Sequence, residues 1–256
     1  KSATTKPRLP YRDLDPLEEG GPIARKGLAY QDHVAAGKSR EMLAHQKARR
    51  GGGGGEAEDD IVLVRAVQDE ECFEFVQVKA ETSDQLWSIA KLCQKETAKD
   101  GRKPGSCIVE KSLAHDRGDG KCQFRLVTIR EPNSALSVLK FPLDNPARTS
   151  AIEDIAQQIG ERLAGYKSAN GNGADFWVRM VVWEHKASIV DIRNENLLKL
   201  ADLLHQHNEF LAPDQTRELY DKLLRKVCDA ALLSGKIQKE AKQGRGPAGV
   251  ATPTSG

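Results

Sequence analysis

Aromatic residues make up only 5% of this chain, and they do not interleave with basic ones. A stacking platform for single-stranded nucleic acid is therefore not expected. The five cysteines (Cys72, Cys93, Cys107, Cys122 and Cys228) are odd in number and scattered, with no C-x-x-C pair among them. That spacing argues against a disulfide framework and against a zinc site, and it suits a reducing cytoplasm. No apolar run is long enough to span a bilayer, and no secretory signal is visible, so no membrane partner is expected. Neither charge sign dominates: 39 basic and 37 acidic residues leave a formal net charge of +2, so there is no global case for polyanion binding. G-x-S-x-G, H-E-x-x-H, G-x-G-x-x-G and Walker-type motifs are missing. This removes the function classes those motifs carry. His33, His45, His115 and His185 have no Cys or Ser partner at a diagnostic spacing, and His205-x-His207 cannot present both rings on one helix face.

What is present is ordinary for a chain with a real core. The 256 residues are 39% hydrophobic and 30% charged, which suits one large domain with appendages. The first 20 residues contain three prolines and no periodicity and read as an extended arm. Residues 21–194 read as the main domain, 195–243 as helices packed on it, and 244–256 as a linker-like tail. The chain reads as a piece of something longer. Positive charge is local: Lys47, Arg49 and Arg50 form one cluster, and Lys91, Lys95, Lys99, Arg102 and Lys103 another. Such clusters are as a rule solvated faces.

The patterning predicts two helices between Leu28 and Ala48, bent near Gly37, then a five-glycine loop at Gly51–Gly55. Strands follow at Ile61–Val67 and Cys72–Lys79. A helix is expected from Asp84 to about Ala98, capped by Thr82 and Gln85 and packed through Leu86, Ile89, Ala90 and Cys93. Ser106–Ala114 favours a helix, although Cys107-Ile108-Val109 would also suit a strand; a strand is expected at Gln123–Arg130 and a helical turn at Ala135–Leu139. Ser150–Gly165 has a strong apolar period and a Ser150/Glu153 capping box. Phe176–Trp183 reads as a buried strand and Ser188–Ile192 as a short one. Helices are expected at Glu195–His207 and Asp214–Leu233.

The candidate chemistry sits on the first two strands. Alternation places Phe73, Phe75, Gln77 and Lys79 on one face of the second strand, and Glu74, Val76 and Val78 on the other. An acidic pair, Asp59-Asp60, opens the first strand, and Gln77-x-Lys79 closes the second. Acid, strand, then acid-or-amide-x-Lys is the order a metal-dependent nuclease of the PD-(D/E)xK type would show. Hydrolysis of a phosphodiester needs a divalent cation to polarise the phosphoryl oxygen. Mg²⁺ takes oxygen ligands, so Asp60 would bridge, Gln77 would offer an amide oxygen, and Glu56 and Asp59 would be further carboxylates. Lys79 would stabilise developing charge. The plain alternative is a pair of ordinary strands with polar ends.

The combination Gly27-Leu-Ala-Tyr-Gln31, Glu56…Asp59-Asp60-Ile-Val and Phe75-Val-Gln-Val-Lys79 resembles the double-stranded-DNA endonuclease domain of bacterial antiphage effectors. These include the nuclease–SAVED effectors of CBASS systems and the nuclease subunit of Lamassu systems. The likeness extends through Gln123–Arg130, Phe176–Asn196 and Thr216–Leu224. It implies an α/β, restriction-endonuclease-like core with a mixed central sheet flanked by helices, plus a C-terminal helical extension. It also implies Mg²⁺ dependence (with Mn²⁺ as a substitute) and cutting of double-stranded DNA with little sequence preference. By motif, Asp60, Gln77 and Lys79 fall on the acid, the acid-or-amide and the lysine, Gln31 on the first-helix glutamine, and Glu56 on the preceding acid. Gln77 stands where the wider superfamily has Glu, so one ligand charge is missing. The resemblance further implies activation by oligomerisation, through a sensor or regulatory subunit or a fused domain. A non-catalytic DNA-binding module and an RNase on the same fold are the alternatives.

Overall fold

The computed structural model describes residues 29–38, 60–67, 70–81, 85–95 and 105–243, with side chains throughout except at 60, 65–67, 70 and 230–243. The chain is built on a four-stranded sheet in the order β1–β2–β3–β4, comprising Asp60–Val67, Glu70–Lys79, Lys121–Thr128 and Val181–His185. β1 runs antiparallel to β2, while β2, β3 and β4 run parallel, so the sheet is mixed as expected. Parallel neighbours need crossovers. α2 (Ile89–Leu92) and α3 (Ile108–Ala114) lie between β2 and β3. Two 3-10 helices (Ser134–Lys140 and Pro146–Arg148), α4 (Ala151–Arg162) and α5 (Ala174–Met180) lie between β3 and β4. α1 (residues 29–38) precedes the sheet, and α6 (Ile189–Gln206) and α7 (Pro213–Gln243) follow it. Among the described residues, no helix is long and apolar enough to cross a membrane.

Strand alternation divides the core. Phe73, Phe75, Phe124, Leu126, Val181 and Trp183 meet Leu92, Leu113, Ile155, Ile159 and Trp177 on one face. Leu63, Val76, Val78 and Val127 meet Tyr30 and Val34 of α1 and Ile192 of α6 on the other. α7 lies outside that layer, where Tyr220 packs with Ala36 and Leu200. The α1–α6 approach is close: a Cβ on Gly37 would sit 2.4 Å from Asn196 Oδ1. Asn196 Nδ2 donates to the His33 carbonyl at 2.8 Å and to the Tyr220 hydroxyl at 3.1 Å, fastening three helices together.

Several expectations are corrected. Phe176–Trp183 is not one strand but helix α5 followed by strand β4. Ser188–Ile192 is the start of α6, with the Ser188 hydroxyl accepting from the Asp191 N–H at 3.1 Å. α4 forms, but Ser150 has helical φ/ψ and makes no capping bond. The helix expected from Asp84 begins only at Ile89. The Trp87 backbone is held extended instead, donating to the Glu131 carbonyl at 2.9 Å and accepting from the Asn133 N–H at 2.8 Å. Leu86 is consequently 56% exposed, and Ala90 is exposed as well, so neither packs as expected. α1 continues through Gly37; residues 39–48, the glycine run and the Thr82 cap lie outside the described residues.

Candidate active site

The β1–β2 register sets Asp60 directly opposite Gln77. Val62 and Val64 pack with the Phe73–Phe75 core. Alternate strand positions share a face, so position 60 belongs to the face that carries Gln77 and Lys79. No offset or twist is needed to bring the two ends together, because β1 begins where β2 ends. The three parallel strands finish at Lys79, Thr128 and His185. This carboxyl edge is where open α/β sheets take their ligands.

Gln77 is only 5% exposed. Its Oε1 lies 3.5 Å from the Ser112 hydroxyl, which also donates to the Ile108 carbonyl at 3.1 Å. One hydroxyl carries one proton, and the shorter bond takes the larger share of it. Among the described residues, the Gln77 amide oxygen is thus weakly engaged. Ser112 is placed by α3, whose N-terminus is a capping box: Glu110 accepts from the Cys107 N–H at 2.9 Å, and the Cys107 sulfur accepts from the Glu110 N–H at 3.5 Å. Burial opposes ionisation of Glu110. The Cys107 N–H, and Lys95 at 3.1 Å, nevertheless hold its carboxyl below the usual range.

Beside Lys79 lies a hollow of about 200 Å³, lined in part by Glu81, Trp87, Lys91, Lys95 and Ser106. Glu81 sits 3.1 Å from Arg130 and 3.8 Å from Lys91, and the Arg130 guanidinium stacks 4.5 Å above the Trp87 ring. The indole is 1% exposed, so it forms the floor of the hollow and is closed to a stacking base.

Gln31 is half-buried on α1, the helix whose Tyr30 and Val34 pack on the sheet face opposite Gln77 and Lys79. Glu56 and Asp59 lie outside the described residues, as does the Asp60 side chain. Among the described residues, no group of three or more His, Cys, Asp or Glu side chains is placed to hold a metal.

Sequence reasoning missed Ser112, Glu81 and Arg130, whose roles depend on packing between distant elements. It also missed a buried ion network on the opposite face. Arg125 pairs with Glu74 at 2.6 Å and Glu184 at 3.1 Å, and Lys38 pairs with Glu184 at 2.9 Å. A charged residue at a core-facing strand position, as Glu74 is, was the available signal.

The mixed four-stranded sheet and its flanking helices define an α/β fold. The chain belongs to the family described as Cap4, dsDNA endonuclease domain, which matches residues 19–231. It is 26% identical over 186 residues to Anti-bacteriophage protein A of Escherichia coli K12, covering 70% of this chain and 32% of that protein. A solved structure of the Acinetobacter baumannii Cap4 SAVED/CARF-domain containing receptor with the cyclic trinucleotide 2'3'3'-cAAA shares the fold. The TM-score is 0.50 at 16% identity, over 83% of this chain and 42% of that one. The chain thus spans less than half the length of either.

Proposed function

We propose that this chain is a metal-dependent endonuclease that cuts double-stranded DNA with little sequence preference, as the effector part of a bacterial antiphage system. The observation that carries the reading is the strand register, which sets Asp60 opposite Gln77, two residues before Lys79 on the same face. Family membership supports the same chemistry.

The donor set suits a hard cation. A weakly engaged amide oxygen at Gln77, with a carboxylate at Asp60 and further carboxylates at Glu56 and Asp59, offers only oxygen ligands. Mg²⁺, or Mn²⁺ in its place, would supply Lewis-acid polarisation of the phosphate and a lowered pKa for the attacking water when bound. Asp60 and Gln77 would hold that cation, the Gln77 oxygen being only weakly engaged by Ser112 at 3.5 Å. Lys79 offers its ammonium to the charge that develops on the scissile phosphate.

Regulation follows from the hazard of a promiscuous nuclease. The solved relative is a receptor that carries a SAVED/CARF domain and holds a cyclic trinucleotide. By analogy, a sensor domain or partner would assemble several copies of this chain. One further reading, a DNA-binding module without catalysis, is favoured only by the neutral, buried Gln77. Incubation of supercoiled plasmid and of a structured RNA with the chain in Mg²⁺ tests the proposal. DNA cleavage whose rate rises more steeply than protein concentration is expected. Robust digestion by dilute, strictly monomeric protein contradicts the regulated reading, and preferential RNA cutting contradicts the substrate.

A further inference from the structure

Two lysines beside the proposed centre have no part in the chemistry described so far. Lys91 and Lys95 stand four residues apart and line the hollow that opens at Lys79. Their side chains are 40% and 56% exposed, and each ammonium rests near a carboxylate, Lys91 at 3.8 Å from Glu81 and Lys95 at 3.1 Å from Glu110. The first distance exceeds a hydrogen bond, so among the described residues the Lys91 donors are only loosely engaged. With Lys79, these lysines set three cations against one carboxylate, Glu81, on the lining of one concave surface. A concave cationic surface draws anions.

We infer that Lys91 and Lys95 form a phosphate clamp, which grips the DNA backbone next to the phosphate presented to Lys79. The inference rests on the proposed nuclease reading for its ligand, and it adds the residues that hold the substrate. Glu81 and Glu110 keep the two ammonium groups in place in the free protein and release them to the phosphates. The hollow is too small for a duplex, so one strand's backbone enters it while the helix lies across the mouth. Trp87 is closed to stacking. The contacts therefore go to phosphate, and phosphate contacts carry no sequence information. This gives a physical basis for cutting with little sequence preference.

The test is binding of the full chain to a short blunt-ended duplex, measured by fluorescence anisotropy in EDTA across a range of salt. Each phosphate neutralised contributes about 0.9 to the slope of log affinity against log salt. Lys91→Ala should make the slope shallower by about 0.9, and the double variant with Lys95→Ala by about 1.8. Affinity should be the same for duplexes of unrelated sequence. A double variant that melts like wild type and keeps the wild-type slope overturns the clamp, as does a tenfold preference among sequences. If Lys95→Ala unfolds the chain by stranding Glu110, Lys91→Ala alone decides by the same criterion. Plasmid nicking in Mg²⁺ separates the two readings. Nicking with an unchanged slope in the variants rejects the clamp alone, whereas the stated fall in slope without any nicking rejects the hydrolytic reading alone.

Discussion

Lys38 of α1 closes on Glu184 of β4 at 2.9 Å, and the largely buried pair lies on the sheet face opposite Gln77 and Lys79. Burial alone would push the Glu184 carboxyl up, but Lys38, Arg125 and Lys186 outweigh it and bring it down to about 2. Removing one partner of a buried pair strands the other charge at a cost of about 3–5 kcal/mol. Glu184→Gln should lower unfolding stability at neutral pH by about 3 kcal/mol or more, read by urea denaturation. The pH dependence has a definite sign. A depressed carboxyl stabilises the fold above its ordinary value near 4.5, and that contribution is lost as pH falls towards about 2. The difference between wild type and Glu184→Gln should shrink across that window, and a difference that stays constant would refute the assignment.

Gly37→Ala should destabilise the chain although alanine is the better helix former by about 1 kcal/mol. The new Cβ would sit 2.4 Å from Asn196 Oδ1, and Asn196 is held by His33 and Tyr220. Overpacking of this kind costs about 1–3 kcal/mol. A thermal melt of Gly37→Ala, with and without Asn196→Ala, checks it: the second substitution should recover part of the loss.

Asp116 is 2% exposed and receives Ser168 Oγ at 2.6 Å, Asn170 Nδ2 at 2.8 Å and Asn172 Nδ2 at 2.8 Å. Hydrogen bonds to a charged group contribute about 1.5–3 kcal/mol each. Asp116→Ala removes an acceptor shared by Ser168, Asn170, Asn172 and the Cys122 thiol, so a loss of about 3 kcal/mol or more and faster proteolysis within residues 168–172 are expected. Limited proteolysis with mass spectrometry reads the cut sites, and an unchanged pattern would show that the loop is held by other means.

Gln77→Glu should restore the ligand charge missing from the centre. Binding of divalent cations strengthens with ligand charge. The Mg²⁺ concentration for half-maximal nicking should therefore fall, by about tenfold for one added carboxylate, an estimate from one unit of charge acting at short range. An unchanged or higher requirement would place the cation away from Gln77.

The shared face of the candidate residues was legible because strand alternation is a strict period. Phe73, Phe75, Gln77 and Lys79 share a face in the structure as in the sequence, and Asp60 opens the neighbouring strand. The register was not legible, since it depends on where the hairpin turns. The run from Phe176 to Trp183 was misread for a related reason: a short, wholly apolar stretch has no period to read. Trp177 and Val178 reach the core from a helix, and Val181 and Trp183 reach it from the strand that follows. At Ser188 a usable signal was passed over, because Ser188-x-x-Asp191 is a helix-start pattern. The late start of α2 could not be read locally at all, because the Glu131 and Asn133 backbone holds Trp87 extended from more than forty residues away.

The central claim is that Asp60, Gln77 and Lys79 form a hydrolytic centre, and plasmid nicking in Mg²⁺ by wild type, Asp60→Ala and Lys79→Ala tests it most directly. Removing a group that stabilises transition-state charge costs about a hundredfold or more in rate. Both variants should therefore lose nicking by at least about that factor while melting like wild type. Equal nicking by all three proteins would contradict the site.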